Sequence, residues 1–385
     1  MMLDPTVINL NTGSWGPVPQ PVFERVTELR RQLAEEPMNF FVRTGPALLW
    51  PARERLASYL GVDPRRLLFT TNVSTAVNLV AGSLALATPG EILLTDHEYL
   101  AMHWCWERAA QRQGLTLRTV RLPTMPESSA EIVEAVCRAM TPRTRLLFFS
   151  HVLSPTGMVL PARELCAAAR QRGVLTMVDG AHAPAHVPLD LAQIPCDFYG
   201  GNLHKWLLAP SGAGFLYFSP GNEDRLQPPQ VSWGYHWDRR RADERDEYGS
   251  TPRLRFLEHE GTRDYCPWLV VPDCIGFQEH LGPERIRARM AELAAYTRQR
   301  LGEVPGLTLH TPPAPGLHGA MTAFRLPAGI DAPALRRGLW ENYRIEAAVV
   351  DRPDGHLLRA STHFYNTETE LDRLAKALAT LLPVC

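Results

Sequence analysis

The chain has 385 residues, 45% of them hydrophobic, and a formal net charge of -1, enough for two domains and a sizeable core. No basic stripe marks a nucleic-acid partner and no apolar run is long enough to span a bilayer. Seven cysteines (105, 137, 166, 196, 266, 274 and 385) form no CxxC pair, and MMLDPTVINL lacks a secretory pattern, so reduced thiols in a cytoplasmic protein are expected.

Short runs rich in Val, Leu, Phe and Tyr read as strands at 67–70, 91–95, 115–122, 145–152, 175–180, 197–202 and 214–219. Helix-like segments such as STAVNLVAGSLAL and ARELCAAARQRG lie between most of them. Strands apolar on both faces that alternate with helices predict a largely parallel sheet covered on each side. The last two are too close for a helical crossover, so that pair can run antiparallel. Residues 220–260, rich in proline and charge (WDRRRADERDEYGSTPRLRF), predict a long surface excursion. A helical pattern resumes over 266–302, followed by strands at 321–326 and 357–362 and a helix at 368–382. The fold class expected is α/β: a mostly parallel seven-stranded sheet between helices, plus a smaller C-terminal α+β domain.

Ligands of open α/β sheets gather outside the carboxyl ends of the strands, and here each strand end carries a polar cluster. In TTNVSTAVNLV, the Val73 and Ser74 N–H groups and the Ser74 hydroxyl suit a phosphate at the positive end of a helix, although Ser and Thr there also serve as plain caps. TDHEYLAMHWCW offers His97 and Tyr99, and SHVLSPTG offers Ser154 and Thr156 unless it is merely a Pro-Gly turn. In TMVDGAHAPAH, Asp179 ends a buried strand, where an unpaired carboxylate is costly. Lys205 lies 205 − 179 = 26 residues on, in GNLHKWLLAPSGAGFL at the end of the next strand. One reading is a structural ion pair. The other is a lysine whose pKa is depressed by burial and neighbouring positive charge, able to form a Schiff base, beside a carboxylate that holds a protonated ring nitrogen. Those are the requirements of pyridoxal 5'-phosphate. His182 and His186 have the spacing of a metal pair, but Pro184 breaks a helix there and no acidic or cysteine ligand is near, so no metal is expected. No G-x-G-x-x-G follows an early strand, which sets a nicotinamide dehydrogenase aside.

VDGAHAPAHVPLDL followed by DFYGGNLHKWLLAPSGAGFL resembles the fold-type I, class V aminotransferase group of pyridoxal-phosphate enzymes. The chain is most similar to the isopenicillin N epimerase-like branch, whose marks read here LNTGSWGPVP, SHVLSPTG, GNLHKW, HEGTRD and LLRASTHFYNT. The resemblance implies that Lys205 carries the cofactor in a Schiff base, that Asp179 keeps the ring nitrogen protonated, and that Tyr99 (after Glu98) stacks on the ring. Ser154 and His182 would lie near the ring's 3-oxygen. Val73, Ser74, Asn202 and His204 would hold the phosphate, with Thr262 supplied by the partner subunit. Arg359 would fork the substrate carboxylate, Arg263 being next in line, while Asn11 to Trp15 close over the substrate.

The implied protein is a cytoplasmic homodimer with shared active sites, acting at the α-carbon of an amino acid or amino-acid conjugate as an epimerase, C–S lyase or aminotransferase. Its expected parts are a closing segment at 1–20, a cofactor-binding domain at 21–265 and a small domain at 266–385. Cysteine desulfurases of this class place a nucleophilic cysteine shortly before the carboxylate-binding arginine. Here RIEAAVVDRPDGHLLRAS has none, which disfavours that chemistry. A catalytically silent binding or regulatory protein on the same fold is the alternative, and Lys205, Asp179 and Arg359 together speak against it.

Overall fold

The structure is a computed structural model that describes residues 1–236, 238, 244–247 and 249–382. Seven strands form one sheet, in the spatial order Leu67–Thr70, Gly214–Phe218, Phe198–Asn202, Leu175–Gly180, Thr144–Ser150, Glu91–Thr95 and Thr116–Val120. The last five run parallel, whereas Gly214–Phe218 is antiparallel to both neighbours. The link 203–213 holds no crossover helix, so the chain returns beside the strand it has just left. Strands inside the sheet are buried along nearly their whole length, while the edge strand Thr116–Val120 shows polar residues to solvent. Separate apolar layers cover the two faces.

Helix Val73–Ser83 starts where Asn72 Oδ1 accepts the Thr75 N–H at 3.0 Å, an N-cap that aims the first turn at the carboxyl edge of the sheet. The expected surface excursion ends in the core rather than outside it. Thr251 caps the helix Pro252–Glu258, which buries Leu254, Phe256 and Leu257. Glu258 takes two bonds from the buried Arg53, at 2.7 and 2.8 Å, and a third from the Phe69 N–H at 2.6 Å. The two charges cancel only once distant chain segments meet, so the local reading of a solvated charged loop had no access to the pair. Most of the charged run 237–248 lies outside the described residues.

The helical stretch over 266–302 is three helices, Cys266–Leu269, Val271–Leu281 and Pro283–Gly302, each with a proline in its first turn, where the missing N–H has no partner to lose. Ile286 and Met290 of the third helix pack into the core under the large sheet, together with Cys266 and Cys274. Leu293 and Leu301 of that same helix join a separate core with Ile8, Phe324 and Leu358. This one helix therefore contributes side chains to both apolar cores. The small unit's antiparallel sheet runs Ala348–Arg352, Gly355–Ser361, Met321–Arg325 and Thr308–Leu309. Near the chain's start, Ile8–Asn9 pairs with Ile345–Glu346, which carries Asn11 to Trp15 across the carboxyl edge of the large sheet.

Candidate active site

Lys205 sits in the link after strand Phe198–Asn202, whose shape is set by the Leu203 N–H to Ala213 O bond at 3.0 Å and by a left-handed Leu208 (φ 62°). A Cβ on Gly16 would lie 2.0 Å from the Lys205 carbonyl oxygen, so only glycine lets the N-terminal segment press onto this link. The half-buried lysine makes no ion pair with Asp179; its Nζ lies 3.1 Å from His182 Nε2. Burial, reinforced by the Arg359 charge and opposed by Asp179, brings Lys205 down to about 7. The structural Asp–Lys pair is thereby set aside, and an amine that is partly neutral near pH 7 takes its place.

Burial, then the Lys205 and Arg359 charges, hold His182 well below the ordinary imidazole range. Its Nδ1 lies 3.4 Å from the Trp206 indole nitrogen. His186, four residues on, is bonded at both ring nitrogens. Its Nδ1 donates to His182 O at 2.8 Å, and its Nε2 accepts the Ala320 N–H at 2.7 Å.

Asp179 is buried at the end of Leu175–Gly180, with Oδ1 accepting the Ala181 N–H at 2.8 Å. Burial raises its pKa, against the Ala181 bond and the Lys205 charge. Beside it in register is Ser150, which gives its hydroxyl (2.5 Å) and N–H (3.2 Å) to Glu98. Thr95 adds a hydroxyl at 2.6 Å. Burial lifts Glu98 to about 7, the Asp179 charge assisting and these hydrogen bonds opposing. Tyr99 then opens helix Leu100–Gln113 with 53% of its surface exposed. His97 turns away to Asp96, 2.7 Å from Oδ1, and the buried Thr156 hydroxyl accepts the Met158 N–H at 3.3 Å.

The expected phosphate contacts include two that bond each other. Asn202 Oδ1 accepts the Val73 N–H at 2.8 Å. Asn202 thus ties the helix start to the strand end, and Ser74 is left as the half-buried hydroxyl of the first turn. His204 lies close by Trp15, ring centroids 5.4 Å apart, and burial with the Lys205 charge lowers it to about 4.

Arg359 projects from the middle strand of the small sheet and is buried. Nη1 donates to Ser154 O (2.7 Å) and Oγ (3.1 Å), while Nη2 donates to Asn11 Oδ1 (3.0 Å) and Ser14 Oγ (3.2 Å). Among the described residues no carboxylate pairs with it, and burial brings it down to about 10. A buried guanidinium held only by neutral acceptors is poised for an incoming anion. Ser154, expected beside the ring's 3-oxygen, is found on this guanidinium. Asn11 is oriented in turn by its Nδ2 bond to Glu346 Oε1, 2.9 Å. Arg263 is committed elsewhere, 2.6 Å from Glu260 and over the Trp268 ring; Thr262 beside it is exposed. The sequence reading missed Trp206, Ser14 and Glu346 and gave Glu98 no role. The first two lie inside motifs already singled out, while nothing near Glu346 marks it.

The donor set suits pyridoxal phosphate: an amine for its aldehyde, a buried carboxylate for its ring nitrogen, a helix start with Ser74 and His204 for its phosphate. The segment 344–361 before and through Arg359 is a hairpin without cysteine. Cys266 and Cys274 are buried, with burial raising both thiols, Cys266 to about 12, and Cys385 lies outside the described residues.

The Aminotransferase class-V family profile matches residues 16–374. Isopenicillin N epimerase of Streptomyces clavuligerus is 60% identical over 383 residues, 99% of this chain and 96% of the relative. That of Amycolatopsis lactamdurans is 62% identical over 383 residues, 98% of this chain and 96% of the relative. A cystine C–S lyase solved with its product cysteine persulfide superposes with TM-score 0.84 at 24% identity, covering 98% of this chain and 99% of that one. A cysteine desulfurase from Escherichia coli gives 0.82 at 21% identity, covering 98% and 95%; these two likenesses speak to the fold.

Proposed function

The chain belongs to the class-V aminotransferase family, and from that premise we propose that it inverts the amino-bearing carbon of isopenicillin N or a close analogue. It is a pyridoxal-phosphate enzyme acting at the α-carbon of an amino acid or amino-acid conjugate. The observation that carries the finer reading is the near-full-length identity to two isopenicillin N epimerases.

When bound, the cofactor supplies an electron sink for the pair left at the α-carbon. In this reading Lys205 holds the cofactor and, once released, its neutral Nζ takes the α-proton, with His182 steadying the amine. Asp179 would hold the ring nitrogen, while Glu98 steadies the neighbouring strand end through Ser150 and Thr95. Ser74, Asn202 and His204 would hold the phosphate. Arg359 takes the substrate carboxylate, which exchanges with Asn11, Ser14 or Ser154 for its N–H groups. Trp15 and Tyr99, exposed at the mouth, meet the rest of the conjugate.

We further take the protein to be a cytoplasmic homodimer in which Thr262 reaches the partner's phosphate site. Exposed Tyr99, Leu100 and Trp104 at the start of one helix support a second copy covering it. No helix among the described residues is long and apolar enough to cross a membrane. Residues 1–20 would close the site, and the small domain would begin within Pro283–Gly302.

Holoenzyme incubated with isopenicillin N in deuterium oxide tests the reading. The expected product is the diastereomer carrying deuterium at the α-carbon. A keto acid or a released sulfur fragment as the main product would overturn epimerisation in favour of transamination or C–S cleavage.

A further inference from the structure

We propose that Trp206 is a positioning residue for Lys205: its indole N–H fixes the His182 ring so that His182 presents Nε2–H, rather than a lone pair, to the lysine amine. This rests on the reading of Lys205 as the residue that captures the cofactor.

An indole N–H is a donor only. Placed 3.4 Å from His182 Nδ1, it requires that nitrogen to accept, so the proton of the neutral ring sits on Nε2. Nε2 in turn lies 3.1 Å from Lys205 Nζ. An amine has a lone pair to receive this N–H. An ammonium has three donors and none, so this tautomer opposes protonation of the lysine through geometry alone.

The indole is held too firmly to adapt. Trp206 is fully buried, with the His186 ring flat against it at 3.8 Å and 7° and the His363 ring beyond at 5.9 Å and 21°. Its carbonyl accepts from Gln278 Nε2 at 2.7 Å and from His363 Nε2 at 3.1 Å. The flanking rings are neutral and fixed in turn. His186 is bonded at both nitrogens, and His363 Nδ1 accepts the Phe364 N–H at 2.9 Å. Burial first of all keeps His186 at about 3 and His363 at about 4. The other groups that act on Lys205 and His182 are Asp179, Arg359 and His204. Asp179 favours the ammonium and Arg359 opposes it, so the His182 tautomer adds to the side that frees the amine. His186 thus explains its spacing from His182 as the floor of the indole.

Trp206→Phe keeps the stack and deletes the N–H. His182 is then free to turn a lone pair toward Lys205, which accommodates the ammonium. The readout is capture of added pyridoxal phosphate by cofactor-free enzyme, in which the Lys205 amine and the aldehyde form the C=N bond and release water. Its rate is followed by absorbance across pH; titrations of pyridoxal phosphate itself are common to both proteins. Loss of one hydrogen-bond preference moves the midpoint up by about one pH unit, making capture at pH 7 about fivefold slower. His186→Gln, which loosens the stack but keeps the indole N–H, is expected to lower Tm and leave the midpoint in place. An unmoved midpoint in folded Trp206→Phe, or an equal shift in His186→Gln, overturns the proposal. Nitrogen-15 NMR of histidine-labelled wild type, with His182 assigned by its loss in His182→Gln, needs no folded Trp206 variant. Protonation at Nε2 supports the proposal, and protonation at Nδ1 overturns it. Absence of capture in wild type would instead strike at the reading of Lys205, and the NMR result would still decide the role of Trp206.

Discussion

Replacing Arg359 with lysine keeps a positive charge in the cleft and removes the planar fork. The guanidinium makes four donor contacts to Ser154, Asn11 and Ser14, all neutral acceptors that a carboxylate can outcompete. Two parallel charge-assisted bonds to a carboxylate become one in the lysine variant, because an ammonium is a point charge that cannot reproduce the fork. A lost bond of this kind is worth about 1.5–3 kcal/mol, which converts to about 10- to 150-fold weaker binding. The assay is equilibrium titration of holoenzyme, followed by the cofactor's absorbance, with the amino-acid substrate and with its decarboxylated amine. The acid should weaken by that factor and the amine should change little, with the resting spectrum intact because Asp179 and Lys205 are untouched. If the variant binds the acid as wild type does, Arg359 serves only to hold Ser154 and the N-terminal segment, and the carboxylate is bound elsewhere.

Borohydride treatment of the yellow holoenzyme should attach the cofactor permanently to the peptide containing Lys205, and peptide mass mapping that finds it on another lysine would contradict the site assignment. Stability should fall as pH is lowered from about 6.5 toward 4: burial holds His151, His204 and His363 at about 4, so in that window the unfolded chain binds more protons than the native one. Calorimetric Tm values that stay flat across the window would count against these rings being neutral in the fold. Free cysteine should leave no persulfide on the enzyme, since the hairpin before Arg359 carries no thiol; sulfide release abolished by replacing any one cysteine would show otherwise.

Much of the layout was legible locally. The strands announce themselves because a parallel sheet covered on both faces demands continuous apolar runs, and EILLT and LTMVDG have no other use. Lys205 and Asp179 stood out because a charged residue at the end of such a run needs a reason. The same logic failed for Glu258, whose charge looks solvated until Arg53, 205 positions earlier, meets it in the core. Nor does the local pattern show that Asn202, from another strand, accepts the Val73 N–H.

Residue types and local pattern specify the chemical groups: an amine, a carboxylate, an imidazole and a guanidinium, placed by hydrophobic periodicity and motif at the edge of one sheet and in a second small one. The state of those groups depends on which distant segments meet around them. Lys205 is partly neutral near pH 7 because folding removes water from it and brings Arg359 toward it from a strand of the other sheet. Arg359 has no carboxylate partner among the described residues because the segments around it turn neutral oxygens toward it. Protonation and pairing depend on distance and dielectric, and both are set by contacts between residues far apart in the chain.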